Sequence, residues 1–184
     1  MGDESVELIF TDPPYFTEFV PEYGEMAEFA GRVLVDGGSL ITYAGHRLIP
    51  KILEAMDIDG LSFYWLNVIV HTGNKSRMPL TGQIVGFKPL LWFVKGSNRF
   101  NTSIFVEDTI ISEPTDKALH KWQQSEVEAT YYIDKLSTAG GLVCDPYCGS
   151  GTTAAVCKKL KRKWITFEAD KQSVEIAREA ICQA

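Results

Sequence analysis

Three observations predict an α/β fold built on a mostly parallel sheet with helices on both faces. Short apolar runs alternate with helical patterns along most of the chain. Two of those runs end in tight corners, LIFTDPPY and LVCDPYCGSGTT, as strands do where a parallel sheet meets its ligand. The 184 residues, 45% of them hydrophobic, are enough for one domain with a sizeable core.

The elements follow in order. VELIF (6–10) reads as a short buried strand. PEYGEMAEFAGRVLVDGG reads as a helix, because Met26, Phe29, Ala30, Val33 and Leu34 recur at helical spacing and Gly37 and Gly38 stop it. SLITYAG is a strand, and RLIPKILEAMDI is a helix with Pro50 near its first turn, where a missing N–H costs little. LSFYWLNVIVH and VGFKPLLWFVKG are longer strands, rich in aromatic and β-branched residues. Between them, TGNKSRMPLTGQ is polar and aperiodic, a surface loop, and a second irregular region covers roughly 96–118. KWQQSEVEATYYIDKL is a helix, GLVCDP a strand, TTAAVCKKL the start of a helix, KWITFE a strand and KQSVEIAREAI the last helix. The order is β-α-β-α-β-β, an irregular stretch, then α-β-α-β-α, with no internal repeat.

The formal charge is −6 and the isoelectric point about 5.1. A nucleic-acid binder usually carries a basic surface, so contact with phosphates has to be local or supplied by a partner. The clearest basic run, KKLKRK (158–163), reads as a solvated helix end. No apolar run approaches the roughly 20 residues that span a bilayer, and MGDESVELIF has no charged-then-apolar leader pattern. Four cysteines, at 144, 148, 157 and 182, lack the paired spacing of a zinc site, and the three histidines do not join them. No metal site and a reducing, cytoplasmic location are expected.

DPYCGSGTT (145–153) combines a strand end, a glycine turn and a helix start, with Glu168 ending the next strand. Glycines allow close backbone approach, and a carboxylate after the next strand accepts from ribose hydroxyls. A phosphate loop would need a lysine where Thr152 stands, and a dinucleotide fingerprint would need a third glycine. S-adenosylmethionine, an adenosine cofactor without a pyrophosphate, remains, alongside the plainer reading of a turn that only packs helix on strand.

DPPY (12–15) raises a chemical possibility of its own. The amino nitrogen of adenine or cytosine is a poor nucleophile because its lone pair is delocalised into the ring. Acceptors aimed at the amino hydrogens favour the tetrahedral nitrogen that attacks a methyl group. Asp12 offers a carboxylate, Pro13 a stiffly oriented carbonyl, and Tyr15 a flat face for stacking. A proline turn capping a strand is the alternative.

Together these segments resemble the amino-methyltransferases that act on adenine or cytosine in DNA. DPPY at 12–15 resembles the family's catalytic motif and DPYCGSGTT at 145–153 its S-adenosylmethionine motif, with the catalytic motif first, as in the β-type permutation. HKWQQSEVEATYYIDKLSTAGG (120–141) is similar to the segment before the cofactor motif that helps bind the methionine end. The resemblance implies a Rossmann-like methyltransferase fold over the whole chain, a single catalytic domain 1–184 with a target-base half (1–118) and a cofactor half (119–184). It implies that Asp12, Pro13, Pro14 and Tyr15 hold an extruded base. It implies that Asp145, Pro146, Tyr147, Cys148, Gly149, Ser150, Gly151, Thr152 and Thr153 line the cofactor. Glu168 would take the ribose, and His120, Gln124 and Ser125 the methionine carboxylate region. Tyr147 stands where phenylalanine is common.

Two departures shape further expectations. Only seven residues precede Leu8, so a neighbouring strand at the N-terminus is expected to be missing, leaving an open edge that favours association of two copies. The stretch 96–118 is too short for a sequence-reading domain, so recognition is expected from another domain or subunit. Aspartate at the first motif position favours adenine, since serine is commoner in the cytosine enzymes. Cytosine-N4, RNA or glutamine methylation, and a catalytically silent binding domain, stay as alternatives.

Overall fold

The computed structural model describes residues 2–73, 75–79, 81–112 and 125–184. Its strands are β1 (Val6–Thr11), β2 (Leu34–Tyr43), β3 (Leu61–His71), β4 (Ser76–Met78), β5 (Gln83–Val85), β6 (Phe87–Lys95), β7 (Thr109–Ser112), β8 (Leu142–Asp145) and β9 (Lys163–Thr166). Its helices are α1 (Val20–Val33), α2 (Ile49–Ala55), α3 (Glu126–Leu136), α4 (Thr152–Lys159) and α5 (Lys171–Gln183).

Seven strands form one sheet in the order β7-β3-β6-β2-β1-β8-β9, and β4 and β5 pair as a separate hairpin. β1 pairs in parallel with β2 on one side and β8 on the other. β6 runs antiparallel between β2 and β3, so β3 again points the same way as β1. The sheet is therefore parallel apart from β6. The ends of β1, β2, β3, β8 and β9, and the start of β6, share one rim.

Side-chain direction along β1, which carries an irregularity between Val6 and Leu8, decides the two cores. Val6 and Ile9 face α1 and α2, packing with Tyr23, Met26, Ala30 and Ile52. Leu8 and Phe10 face α3 and α4, packing with Tyr132, Ile133, Val156 and Cys157. Burying such side chains supplies roughly 1.5–3 kcal/mol each, enough to set the register of a strand buried on both faces.

The structure corrects several sequence readings. α1 ends at Val33, and Leu34 already belongs to β2, so Gly37 and Gly38 lie inside a strand and do not stop the helix. Their smallness serves packing: a Cβ at Gly37 would collide with the Phe100 backbone nitrogen, and one at Gly38 would lie 2.9 Å from the Val35 carbonyl oxygen. The loop between the long strands contains the β4–β5 hairpin, and the second irregular region contains β7. The N-terminal strand sits in the middle of the sheet, between β2 and β8, and among the described residues the sheet edges are β7 and β9, four residues each. The basic run at 158–163 is a largely exposed helix end, as its sequence suggests, and three of its cations also tie elements together. Lys158 donates to the Ile181 carbonyl, Lys159 pairs with Glu126 at 2.7 Å, and Arg162 reaches Asp134 and the Ser137 carbonyl.

Candidate functional site

Because β1 and β8 are neighbours, the proline corner and the glycine corner leave the same rim side by side. Leu8 lies opposite Val143, and Ile9 opposite Cys144. Three residues on, Thr11 donates its hydroxyl to Asp145 Oδ1 at 2.7 Å. Asp145 is 4% exposed and takes two more hydrogen bonds, from the Thr153 hydroxyl at 2.6 Å and the Tyr147 N–H at 3.1 Å. Burial pushes its carboxyl up to about 6, although all three donors favour the charged form.

The glycine corner is held from three directions. The Cys148 N–H donates to the Phe167 carbonyl, and the Gly151 N–H to the Cys148 carbonyl. Glu168 lies two residues beyond β9. Its two oxygens accept from the Gly149 and Asp170 N–H groups, each at 2.9 Å. Gly149 has φ +49, and a Cβ there would meet nothing within 4 Å, so its Cα faces open space. Gly151 has φ +83 and lies against α5, where a Cβ would come within 2.8 Å of that of Ala177. The two glycines thus differ in surroundings, one facing open space and one seating a helix. Burial and the Glu22 carboxylate push the Tyr147 phenol up to about 12, and its hydroxyl donates to Glu22 at 3.1 Å, tying the corner to α1. Burial raises the Cys148 thiol to about 11, which keeps it protonated and unreactive at neutral pH.

At the proline corner, Pro13 is buried and Asp12 and Pro14 are half-buried, while Tyr15 and Phe16 are 38% and 61% exposed. The Tyr15 hydroxyl donates to Asp12 Oδ1. Desolvation and the Asp12 charge raise the Tyr15 phenol, so it stays a donor. Ser125 caps α3, its hydroxyl accepting from the Val127 N–H at 3.1 Å. His120 and Gln124 lie outside the described residues.

The structure adds residues that motif reading passed over. Thr11 and Glu22 brace the two corners. Phe167, 49% exposed, stands beside Glu168. The turn after β2 brings Gly45 against Tyr15, and the His46 ring packs 4.9 Å from that of Phe87. Among the described residues, buried His46 Nε2 has no hydrogen-bond partner. Of these residues only Phe167, an aromatic directly after a strand end, carried a signal in the sequence.

Comparison with known proteins fits this geometry. A family model described as DNA methylase, covering N6 and N4 methyltransferases, matches residues 112–179. Type II methyltransferase M.HpaI of Haemophilus parainfluenzae is 25% identical over 98% of this chain and 69% of its own length. Type II methyltransferase M2.DpnII of Streptococcus pneumoniae is 24% identical over 98% of this chain and 84% of its own. Among solved structures, the M1.HpyAVI–SAM complex aligns with TM-score 0.78 at 22% identity, over 96% of this chain and 89% of that one. The cytosine-N4-specific PvuII DNA methyltransferase aligns at 0.79 and 18% identity, over 97% and 80%.

Proposed function

We propose, from the premise that the chain belongs to the DNA amino-methyltransferase family, that it methylates the exocyclic amino nitrogen of adenine in DNA. The observation that carries this reading is the Thr11–Asp145 hydrogen bond, which sets the base corner and the cofactor corner one strand spacing apart.

S-adenosylmethionine, the cofactor of the family, supplies a methyl group already activated by its sulfonium, so the chemistry calls for no metal. The glycine corner fits it: a backbone turn faces open space at Gly149, and an acidic side chain stands at the next strand end. Glu168 spends one lone pair of each oxygen on the backbone and keeps the others for ribose hydroxyls. Asp145 acts through Thr11, Thr153 and the Tyr147 N–H, as the pin that holds both corners. Phe167 offers an apolar face for an adenine ring.

On the other side of the pin, the Asp12 carboxylate and the Pro13 carbonyl accept the amino hydrogens of an extruded base. That draws the lone pair out of conjugation as the nitrogen becomes tetrahedral. Tyr15 stacks on the ring, a contact of roughly 1–3 kcal/mol that offsets much of the few kcal/mol needed to unstack a base. The Tyr15 hydroxyl, which donates to Asp12 Oδ1, gives way to the amino group or shares that oxygen with it. Holding nitrogen, methyl and sulfur in line is the main contribution of the chain. The aspartate at position 12 supports adenine over cytosine. Relatives named as type II methyltransferases support a restriction–modification setting, and a DNA substrate carries a cytoplasmic location with it.

The test is transfer of a radiolabelled methyl group to unmethylated DNA, RNA or protein. Labelled 6-methyladenine that disappears with Asp12→Ala supports the proposal. Labelled 4-methylcytosine moves the activity to the sibling base. Cofactor binding without transfer to any of the three makes the chain a silent binding domain.

A further inference from the structure

The chain is acidic as a whole, yet its charge is unevenly distributed. From Gly60 to Val106 there is no aspartate or glutamate, while Lys75, Arg77, Lys88, Lys95 and Arg99 all fall in that span. Three of these cations, Lys75, Arg77 and Lys88, belong to one structural unit, the β4–β5 hairpin and the first turn of β6.

That unit stands on the rim that carries the candidate site. β3 ends at His71 beside β6, which starts at Phe87, and the His71 N–H donates to the Gly86 carbonyl. The 15 residues between leave and rejoin the sheet at the same rim as Thr11 and Asp145. Ser76, Arg77, Met78, Gln83 and Ile84 are all exposed. Arg77 lies opposite Ile84 in the hairpin ladder. The Lys75 side chain runs past Gly86, within 3.6 Å of where a Cβ would sit there. Lys88 Nζ lies 5.4 Å from the Tyr43 ring centroid. Among the described residues none of the three makes an ion pair, whereas Arg32, Lys95, Lys159 and Arg162 are each committed to a carboxylate.

The strand order converts this into a map. Across the rim from one edge inward come the basic hairpin over β3 and β6, the His46–Phe87 wall at β2 and β6, and the Asp12 corner at β1. The glycine corner at β8 and Glu168 after β9 follow. The hairpin is thus on the far side of the base corner from the cofactor corner, about two to three strand spacings, roughly 10–15 Å, from Asp12 along the sheet. A duplex that presents a base to Asp12 carries one phosphate charge per roughly 1.7 Å of its axis, so its backbone passes over this region.

We propose that the β4–β5 hairpin is the phosphate-gripping element of this chain, with Lys75 and Arg77 on the DNA backbone beside the extruded base and Lys88 at its foot. The proposal rests on the DNA-methylation reading above and assigns the basic surface that an acidic protein needs for it. A two-stranded ribbon is also a shape the major groove admits, and Arg77 and Ile84 share the face that would enter it.

The experiment compares the wild type, Lys75→Ala/Arg77→Ala, and a control that removes two cations from the opposite end of the sheet, Lys161→Ala/Lys163→Ala. Binding of a fluorescein-labelled duplex is followed by anisotropy from low to moderate salt, in parallel with cofactor binding by calorimetry. The hairpin variant should keep cofactor affinity and lose roughly 1.8 from the slope of log affinity against log salt, about 0.9 per phosphate contact. Its affinity at low salt should fall roughly tenfold, while the control follows the wild type. If both double variants and the wild type share one slope, the hairpin assignment is overturned and the methylation reading stands. If the wild type binds cofactor but no DNA, both fall together.

Discussion

The Thr11 hydroxyl reaches Asp145 Oδ1 at 2.7 Å across two adjacent parallel strands, joining segments 134 residues apart in the chain. An interaction with a buried charged acceptor is worth more than an ordinary hydrogen bond, about 1.5–3 kcal/mol. Thr11→Val keeps the shape and removes the donor. It should lower unfolding free energy by that amount at pH 8 and weaken cofactor binding. Because this donor favours the charged carboxyl, its loss should move the Asp145 titration above about 6. Urea denaturation at several pH values measures both effects.

Asp145 also makes a signed pH prediction. Its folded value, about 6, is above the unfolded 3.8, so the fold favours the protonated acid. Its contribution to stability is fully present below pH 4 and is lost as pH rises through 6. The shift corresponds to about 3 kcal/mol. Asp145→Asn removes the titration. The difference in unfolding free energy between wild type and variant should therefore change by roughly that amount between pH 4 and 7, with the wild type relatively weaker at the higher pH. A difference that stays flat over this range would contradict the burial argument.

Tyr15 combines a stacking ring with a hydroxyl on Asp12, and the two are separable. Tyr15→Phe should retain most methyl transfer, since the ring remains and an Asp12 oxygen is released. Tyr15→Ala should lose transfer by roughly one to two orders of magnitude, as expected for 1–3 kcal/mol of lost stacking. Cofactor affinity should be unchanged in both. Equal losses in transfer and cofactor binding would exclude the stacking role.

The same substitution at two nearby glycines should give opposite failures. Gly151→Ala forces a Cβ to within 2.8 Å of the Ala177 Cβ at φ +83 and should cost several kcal/mol of stability. Gly149→Ala has open space and φ +49, near the left-handed minimum, and should cost only about 1–2 kcal/mol. Its methyl group occupies the face where the cofactor would lie, so calorimetry should show binding lost in a folded protein.

Ion-pair chemistry at the 158–163 run gives a further contrast. Arg162 donates to the carbonyls of Asp134, Ser137 and Leu160, and its side chain is 10% exposed. Arg162→Ala should lower the melting temperature without altering the salt dependence of DNA binding, because this cation holds α3 to the end of α4.

The sequence by itself determined the sheet class, the positions of the buried strands and the identity of the two corners. Apolar runs such as VELIF and LVC are buried on both faces, and that requirement is written locally. It was misled where local pattern and tertiary demand part company. Gly37 and Gly38 resemble a helix stop but sit inside β2, where Phe100 crowds Gly37 and the Val35 and Glu7 carbonyls crowd Gly38. The strands β4 and β5 are three residues each and almost wholly exposed, and β7, four residues alternately exposed and buried, reads TIIS with no matching apolar alternation in the sequence. Only the tertiary structure decided which strands are neighbours, since pairing energy depends on partners far along the chain. It placed β1 against β8, and so Thr11 on Asp145. It drew Lys158, Lys159 and Arg162 of the one visible basic run into ties between helices and left a less conspicuous set of cations, Lys75, Arg77 and Lys88, at the rim that carries the two corners.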